Sequence, residues 1–194
     1  MRMGRVEKLF VNNDGHSQGV GRYAEKLLRS VDFEAGGKYL DVGCGNGAAP
    51  IHIAQTFGLD VTGIDVDPEQ IEAAQARGQG IDNARFMTVD STQLPFSEGE
   101  FDIIFTNKVT HHIPNWQDAM AEMVRVLKPG GYLIYSDFVL PGPVAALGRS
   151  IAGNRVGFPT RAALKNIVER HDLSVVNASG SALNYRGVFK KRES

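Results

Sequence analysis

Short apolar segments alternate with segments of helical periodicity along the 194-residue chain. In the helical segments the apolar residues recur three and four positions apart, as Ile51, Ala54 and Phe57 do. This alternation predicts βαβ units, and therefore an α/β fold with a mostly parallel sheet and helices on both faces. The predicted strands cover residues 38–42, 60–65, 84–89 and 101–106, and the predicted helices cover residues 48–57 and the segment from Pro68, capped by Asp67, to near Gly78.

The later part of the chain predicts a fifth strand and a closing hairpin. A helix over residues 115–127 is expected to end at Lys128-Pro129-Gly130-Gly131, because proline and glycine do not continue a helix. A strand over residues 132–138 follows. Residues 174–178 and 185–190 form two further strands with no helix between them, so we expect a closing antiparallel hairpin.

Two segments lie outside this alternation. Residues 1–35 are partly helical around residues 22–29, and residues 139–159 are broken by prolines and glycines. Thr160 is placed to cap a helix over residues 161–171. Because domains commonly contain roughly 100–200 residues, we expect a single domain. It divides into an N-terminal cover (1–35), a cofactor-binding core (36–138), a substrate lid (139–159) and a helix with the closing hairpin (160–194).

Composition and charge argue against several classes of protein. The single cysteine, Cys44, cannot form an internal disulfide or a multi-thiolate metal site, which suits a reducing cytoplasm. No run approaches the ~20 apolar residues of a membrane span, and the N-terminus lacks the apolar core of a signal peptide. The formal net charge of -1 gives no strong field for nucleic acid. We therefore expect a cytoplasmic protein with no membrane span and no nucleic-acid partner.

Residues 40–47 (LDVGCGNG) carry the clearest chemical signal. Glycine is enriched, with 22 residues in the chain, and three of them, Gly43, Gly45 and Gly47, lie between a predicted buried strand and a helix. Such a loop lets a ligand approach the backbone closely at the carboxyl end of the strand. Asp65 ends the next strand, where its carboxylate can accept hydrogen bonds from both hydroxyls of a ribose. The sequence therefore predicts a nucleoside site.

The same loop is open to a second interpretation. The pattern Gly43-x-Gly45-x-x-Ala48 also fits the dinucleotide fingerprint, which would indicate an NAD-dependent oxidoreductase. Against it, Gly47 opens the helix one residue early, and the chain shows no obvious second mononucleotide half or substrate domain. The dehydrogenase is therefore the less favoured hypothesis.

Four motifs, in order along the chain, carry a resemblance to a known family. They are LDVGCGNG, GIDVDP, VDSTQLPFSEGEFDIIFTNKVTHHI and RVLKPGGYLIYSDF. Together they resemble the successive motifs of class I S-adenosylmethionine-dependent methyltransferases, most closely the menaquinone/ubiquinone and sterol C-methyltransferases and their small-molecule relatives. The resemblance implies a Rossmann-like three-layer αβα sandwich, a seven-stranded sheet of order 3-2-1-4-5-7-6, and S-adenosylmethionine as cofactor.

The resemblance also assigns residues to the cofactor. It places the glycine loop against the methionine part, Asp41 near the ammonium group and Tyr23 at the carboxylate end. Asp65 matches the ribose ligand, Val66 an apolar wall beside the adenine, and Asp90 the acceptor of the adenine amine. The full set of expected cofactor contacts is Asp41, Gly43, Cys44, Gly45, Gly47, Asp65, Val66, Asp90, Ser91, Asn107 and Tyr23.

Three residues are candidates for proton transfer. His111 and His112 follow the fourth strand, where the resemblance places the sulfonium and the acceptor, and histidine titrates near neutral pH. Asp137, near the end of the fifth strand, is a further candidate base. Alignment of the acceptor with the S–CH₃ bond and exclusion of water can supply most of the catalysis, so a base is not essential.

The predicted lid suggests the chemistry of the acceptor. Residues 139–159 combine small apolar side chains with Arg149 and Arg155 and contain no acid. This composition favours a small apolar or anionic acceptor, and no metal site is expected. The alternative function is a catalytically silent module that binds S-adenosylmethionine and regulates or scaffolds a partner, since the cofactor motifs alone do not separate such a module from an enzyme.

Overall fold

The computed structural model describes residues 14–152 and 156–193, which form a seven-stranded sheet flanked by helices. The strands are β1 (Lys38–Val42), β2 (Asp60–Asp65), β3 (Ala84–Thr88), β4 (Phe101–Asn107), β5 (Leu127–Phe138), β6 (Leu173–Ser181) and β7 (Asn184–Lys191). The helices are α1 (Asp14–Leu28), α2 (Ala48–Phe57), α3 (Pro68–Arg77), α4 (Trp116–Val126), α5 (Gly142–Ala152) and α6 (Arg161–Arg170), with a 3₁₀ turn at Thr110–His112.

The strand order β3-β2-β1-β4-β5-β7-β6 confirms the predicted topology. The first five strands pair in parallel. The last two form the predicted antiparallel hairpin, in which β7 pairs with both β5 and β6. All the parallel strands therefore end at the same edge of the sheet, which is where ligands bind in open α/β folds.

Apolar clusters on opposite faces of the sheet hold the strands in place. Along β1, Leu40 and Val42 belong to one cluster and Tyr39 to the other, because successive side chains of a strand point to opposite faces. The first cluster includes Trp116 of α4, and the second includes Ile53 of α2. This arrangement confirms the three-layer αβα sandwich.

Two predicted helix caps are confirmed by hydrogen bonds. Asp67 Oδ1 accepts from the backbone N–H of Glu69 at 3.1 Å, and Pro68 occupies the first turn of α3. Thr160 Oγ1 accepts from the backbone N–H of Ala163 at 3.1 Å and so caps α6. Each cap satisfies a backbone donor that a helix cannot satisfy internally.

The predicted start of the fifth strand, at residue 132, is wrong. The helix α4 ends at Val126, and the chain that follows, including the proline and the two glycines, is extended. The strand β5 therefore begins at Leu127, which pairs with Phe101. The register shifts between Phe101 and Ile103. A Cβ at Gly131 would lie 2.8 Å from the carbonyl oxygen of Asp102, so glycine permits the close approach of the two strands.

Both segments outside the predicted alternation contain more helix than predicted. The helix in the N-terminal cover is longer than expected, and the lid contains a helix where none was predicted. In the N-terminal cover, α1 already begins at Asp14. In the lid, α5 forms although two prolines lie near its start, because Pro143 occupies the first turn, where its missing N–H removes no helical hydrogen bond. The backbone N–H of Ala145 donates to the carbonyl of Pro141 at 2.9 Å and begins the helical ladder.

One backbone hydrogen bond joins the two ends of the lid, and a second joins the lid to the turn after β4. The N–H of Leu140 donates to the carbonyl of Pro159 at 2.8 Å, and the N–H of Gly157 donates to the carbonyl of His111 at 3.0 Å. The predicted lid residue Arg155 lies outside the described residues. Over the described ranges, no helix has the length and apolar character needed to cross a membrane.

Candidate active site

Two adjoining cavities open at the carboxyl ends of β1, β2 and β4. The larger has a volume of about 240 Å³ and the smaller about 110 Å³. Both are lined by Gly43, Gly45, Asn107 and Lys108, so these four residues mark the junction between the cavities. Of the described residues, Lys108 is the one lysine or arginine that lines either cavity.

The glycine loop forms the floor of this junction. The N–H groups of Gly43 and Cys44 both donate to the carbonyl of Ile64, at 2.8 and 2.9 Å, which anchors the loop to β2. Gly43 has a φ of +77°, and a Cβ there would collide with the side chain of Val109. Gly45 has a φ of +52° and lines both cavities, and a Cβ there would lie 3.7 Å from Gln70 Oε1. Side chains at these two positions would strain the loop.

Gly47 has a different role from the other two loop glycines. It lines neither cavity and caps α2 in a left-handed conformation with a φ of +78°. A Cβ there would lie 2.8 Å from the Cβ of Ala74 and 3.1 Å from Phe86. The structure therefore explains this glycine by the packing of α2 against α3 and β3, and its predicted contact with the cofactor stays a prediction.

Cys44 lines the smaller cavity, but its thiol is buried in an apolar cluster with Ile51 and Ile71. Burial raises the pKa of the Cys44 thiol well above its usual value, and the carboxylates of Asp41 and Asp65 raise it further. A thiol held in the neutral form is a poor nucleophile. Cys44 can therefore shape the cavity, and its environment gives it no chemical role.

Asp65 holds the loop and faces the larger cavity. Its Oδ2 accepts from the N–H of Gly45 at 3.0 Å, and its Oδ1 accepts from the N–H of Asp67 at 2.9 Å. Burial raises the pKa of Asp65, while these two hydrogen bonds oppose the rise. Each carboxylate oxygen still has a lone pair for a hydroxyl donor.

Asp41, at the end of β1, is a buried carboxyl that lacks a partner. Its Oδ2 forms no hydrogen bond with any described residue, and the residue is only 3% exposed. Burial, and secondarily the nearby charge of Asp65, raises the pKa of Asp41 to about 8. Because an unpartnered buried carboxylate is costly, this group is suited to receive a cationic ligand in the smaller cavity.

The far end of the larger cavity combines an apolar wall with a polar turn. Val66 is 49% exposed, which is high for a valine, and lines the cavity together with Ser91. Asp90 Oδ1 accepts from both the N–H and the hydroxyl of Thr92, at 2.9 and 2.8 Å. Asp90 Oδ2 has no hydrogen-bond partner among the described residues. This end of the cavity can receive a flat apolar ring that carries polar edges.

The opposite side of the junction holds the predicted histidines. His111 Nδ1 lies 2.5 Å from Asp137 Oδ1, and the hydroxyl of Thr110 donates to Asp137 Oδ2 at 2.6 Å. The N–H groups of His111 and Phe138 also donate to this carboxylate, at 3.2 and 2.7 Å. Asp137 is buried and lines neither cavity. The geometry thus makes Asp137 the support of His111, and its oxygens are occupied by hydrogen bonds.

The two histidine rings lie close together but differ in position. Their centroids are 3.9 Å apart. His112 lines the larger cavity, whereas His111 lies between His112 and the ring of Phe138. His111 Nε2 has no hydrogen-bond partner in the described part of the chain, and the side chain is 24% exposed. A histidine whose Nδ1 is hydrogen-bonded to a carboxylate can accept a proton at Nε2.

Tyr23 reaches β5 across the sheet surface. Its hydroxyl donates to Ser136 Oγ at 3.0 Å, and Val20, one turn earlier on α1, lines the smaller cavity.

Asn107, which was expected near the sulfonium, does lie at the junction of the cavities. Lys108 was missed by sequence reasoning, because nothing in the local pattern shows that it would have a φ of +57° and line both cavities.

No group of three or more His, Cys, Asp or Glu side chains that could hold a metal ion occurs over residues 14–152 and 156–193.

Residues 40–135 match the family described as a methyltransferase domain. The chain belongs to this methyltransferase family. The family match covers every residue that lines the larger cavity and, apart from Val20, every residue that lines the smaller one.

The curated relatives of this chain are named as methyltransferases, and one of them is named for the rifamycin it acts on. Methyltransferase GfsG of Streptomyces halstedii is 34% identical over 149 residues, covering 75% of this chain and 54% of the relative. The 27-O-demethylrifamycin SV methyltransferase of Amycolatopsis mediterranei is 34% identical over 126 residues, covering 63% of this chain and 46% of the relative. The chain thus spans about half the length of these relatives.

Solved structures share the fold at low sequence identity. The geranyl diphosphate C-methyltransferase of Streptomyces coelicolor, in complex with Mg²⁺, geranyl diphosphate and S-adenosyl-L-homocysteine, aligns with a TM-score of 0.75 and 15% identity. The alignment covers 93% of this chain and 86% of that one. At this identity the likeness shows a common fold.

The residues of the methyltransferase cavities fit S-adenosylmethionine, the cofactor of this family. The unpartnered Asp41 carboxyl matches an ammonium group, and the bare backbone at Gly45 admits close approach of a ligand. Asp65 offers two acceptor oxygens that suit the hydroxyls of a ribose, and the exposed Val66 offers an apolar face that suits an adenine. The unpartnered Asp41 Oδ2 in particular would be costly in a chain without such a ligand.

Proposed function

We propose that this methyltransferase transfers a methyl group from S-adenosylmethionine to a small-molecule acceptor. The observation that carries the proposal is the junction of the two cavities at Gly43 and Asn107. An acceptor for a cation, Asp41, lies on one side of this junction, and an acceptor for ribose hydroxyls, Asp65, lies on the other. The names of the curated relatives support a small-molecule acceptor. A cytoplasmic location and the absence of a nucleic-acid partner stay predictions.

The cofactor-binding residues divide between the cavities. Asp41 and the loop around Gly45 would hold the methionine part in the smaller cavity. Asp65, Val66 and Asp90 would hold the adenosine part in the larger one. When bound, the cofactor supplies an electrophilic methyl group on a positively charged sulfur. The protein's contribution is to fix the acceptor in line with that group and to exclude water.

We infer that His111 accepts the proton of the methyl acceptor. Asp137 accepts a hydrogen bond from His111 Nδ1 and so leaves Nε2 as the free basic nitrogen. Thr110 and Tyr135 extend the buried hydrogen-bond network that keeps this carboxylate in place. An acceptor hydroxyl or acidic C–H would lose its proton to Nε2 as its oxygen or carbon attacks the methyl group. His112, which lines the cavity, is the second candidate for this role.

The proposal is tested by incubating the chain with S-adenosylmethionine and a panel of small hydroxylated and carbon-acid metabolites. Mass spectrometry then detects products heavier by one methylene, together with S-adenosylhomocysteine in equal amount. The Asp65→Ala variant is expected to reduce turnover at limiting cofactor. A protein that binds the cofactor but methylates no panel member would support the catalytically silent module instead.

A further inference from the structure

Two cations at the acceptor side of the sheet have no acidic partner in the part of the chain that the structure describes. Lys108 follows β4, and Arg186 of β7 lies directly opposite Ser136 of β5. Lys128, by contrast, contacts both oxygens of Asp102 at 2.8 Å near the amino ends of the strands. Lys108 lines both cavities, so an unpaired cation at their junction needs a separate explanation.

Each of the two cations lies over an aromatic ring. Lys108 Nζ is 5.5 Å from the ring centroid of Phe138, and the Arg186 guanidinium carbon is 5.2 Å from that of Tyr23. The Tyr23 hydroxyl donates to Ser136 Oγ, and Phe138 lies two residues beyond Ser136, about 7 Å along the same face of the strand. Both cations thus flank one short stretch of β5.

The backbone of Lys108 fixes its position at this site. Its φ of +57° is uncommon for a residue other than glycine, and its N–H donates to the carbonyl of Ser136 at 2.7 Å. Strained backbone of this kind persists where the surroundings hold it, and it is frequent at ligand sites. Lys108 also lines both cavities, so its side chain leaves from the junction where the methyl group would be transferred.

We propose that Lys108 and Arg186 form a subsite for a carboxylate of the methyl acceptor, so that the substrates are organic acids. This inference rests on the proposed methyl transfer, because that function places the acceptor beside the junction. A positive sulfonium next to two unpaired cations makes the local potential strongly positive, which favours an anionic acceptor over a neutral one. The ring of Phe138, 42% exposed, offers a surface for the apolar body of the acid.

The subsite is distinct from the cationic rim predicted from Arg149 and Arg155, which stays a prediction. Arg149 is exposed on α5, and Arg155 lies outside the described residues. Lys108 and Arg186 come instead from segments far apart in the sequence, and β5 brings them together. The predicted preference for an anionic acceptor is thereby kept and assigned to different side chains.

The test uses the full chain saturated with S-adenosylhomocysteine and two probes, benzoate and its neutral isostere benzamide. Binding is followed by ligand-observed NMR. We expect benzoate to bind about tenfold more tightly than benzamide, since charge-assisted hydrogen bonds are about twice as strong as neutral ones. Lys108→Gln and Arg186→Gln should each weaken benzoate binding by roughly tenfold and leave benzamide binding unchanged.

Lys190→Gln is the matched control for these variants. Lys190 Nζ also lies 5.5 Å from an aromatic centroid, that of Tyr132, but at the other end of the pairing between β5 and β7. Its replacement should leave benzoate binding unchanged. Equal binding of the two probes, no binding of benzoate, or an equal loss in the control variant would overturn the subsite.

Calorimetry with S-adenosylhomocysteine alone separates this inference from the proposed function. A chain that binds S-adenosylhomocysteine without preferring benzoate keeps the proposed methyl transfer and loses the carboxylate subsite. A chain that does not bind S-adenosylhomocysteine contradicts both.

Discussion

The two sides of the cavity junction are built in different ways. On the cofactor side, Asp41, Gly45 and Asp65 lie within a continuous strand-loop-helix-strand segment. On the acceptor side, His111 follows β4 and Asp137 lies in β5, and the two side chains meet through a hydrogen bond that depends on the pairing of these strands. The cofactor side presents carboxylates and bare backbone, whereas the acceptor side presents a histidine, aromatic rings and cations. The methyl donor, which is common to the family, can thus be bound by one local sequence motif. The acceptor site is instead assembled from segments that are distant in the sequence.

The largest expected effect separates catalysis from cofactor binding. His111→Gln should lower kcat by about 10²–10⁴-fold, because it removes the proposed base, and leave the affinity for S-adenosylhomocysteine unchanged. Steady-state kinetics and calorimetry measure the two quantities. His52→Gln is the control, since His52 Nε2 also contacts a carboxylate, that of Glu25, at 2.7 Å, but this pair joins α2 to α1 and does not lie in the turn after β4. An unchanged kcat in the His111 variant would remove the histidine from the mechanism.

The next effect distinguishes the two glycines at the junction. Gly43→Ala should lower the free energy of unfolding by about 2–4 kcal/mol, because it adds a clash with Val109 to the cost of a left-handed backbone. Gly45→Ala should lower it by only about 1–2 kcal/mol, since its left-handed backbone is the main cost. Urea denaturation measures both. Equal losses would show that the contact between Gly43 and Val109 does not constrain the loop.

The third expected effect, which is smaller, is a loss of cofactor affinity when Asp65 is replaced. Asp65→Ala should weaken binding of S-adenosylmethionine by about 1.5–3 kcal/mol, the scale of hydrogen bonds to a charged group. Asp60→Ala, at the other end of β2, changes a half-exposed carboxylate that contacts Arg85 at 3.4 Å and should leave affinity unchanged. Isothermal calorimetry compares the two variants. Equal affinity of the Asp65 variant and the unmodified chain would refute the ribose assignment.

The smallest expected effect is the release of a proton from Asp41 when the cofactor binds. The pKa of Asp41 is raised to about 8 from 3.8, so the folded chain holds a proton there at pH 7 that the unfolded chain has lost. The contribution of Asp41 to stability is therefore fully present below pH 3.8 and is lost as the pH rises through about 8. If Asp41 receives the ammonium group of the cofactor, binding at pH 7 should release about one proton.

Calorimetry of cofactor binding in two buffers of different ionisation enthalpy measures this release. The Asp41→Asn variant cannot ionise and should release none. Release should also vanish in the unmodified chain well above pH 8, where Asp41 has already ionised. Unchanged proton release in the variant would assign the proton to another group.

The strand order was predicted through the resemblance of four ordered motifs to a known family, whereas the glycine loop and Asp65 were predicted from a local pattern. A buried strand, a glycine loop and an acid at the end of the next strand are all visible in residues 40–65. Gly47 shows the limit of that approach: it follows the motif, yet its conformation is explained by contact with Ala74 and Phe86. A spacing pattern does not distinguish a glycine under a ligand from a glycine between two helices.

The acceptor side was less predictable because its contacts are tertiary. The two histidines and Asp137 were found as separate candidates, but their hydrogen bond depends on the pairing of β4 with β5. Lys108 gave no signal, since its backbone conformation is set by a hydrogen bond to Ser136. The helix in the lid was missed because proline breaks a helix interior but is tolerated in a first turn.

The most direct test of the cofactor assignment is calorimetric titration of the full chain with S-adenosylmethionine, S-adenosylhomocysteine and NAD under identical conditions. The arrangement of Asp41, Gly45 and Asp65 predicts one binding site that takes both sulfur nucleosides and shows no binding of NAD. Binding of NAD with no binding of either sulfur nucleoside would contradict it and restore the dehydrogenase hypothesis.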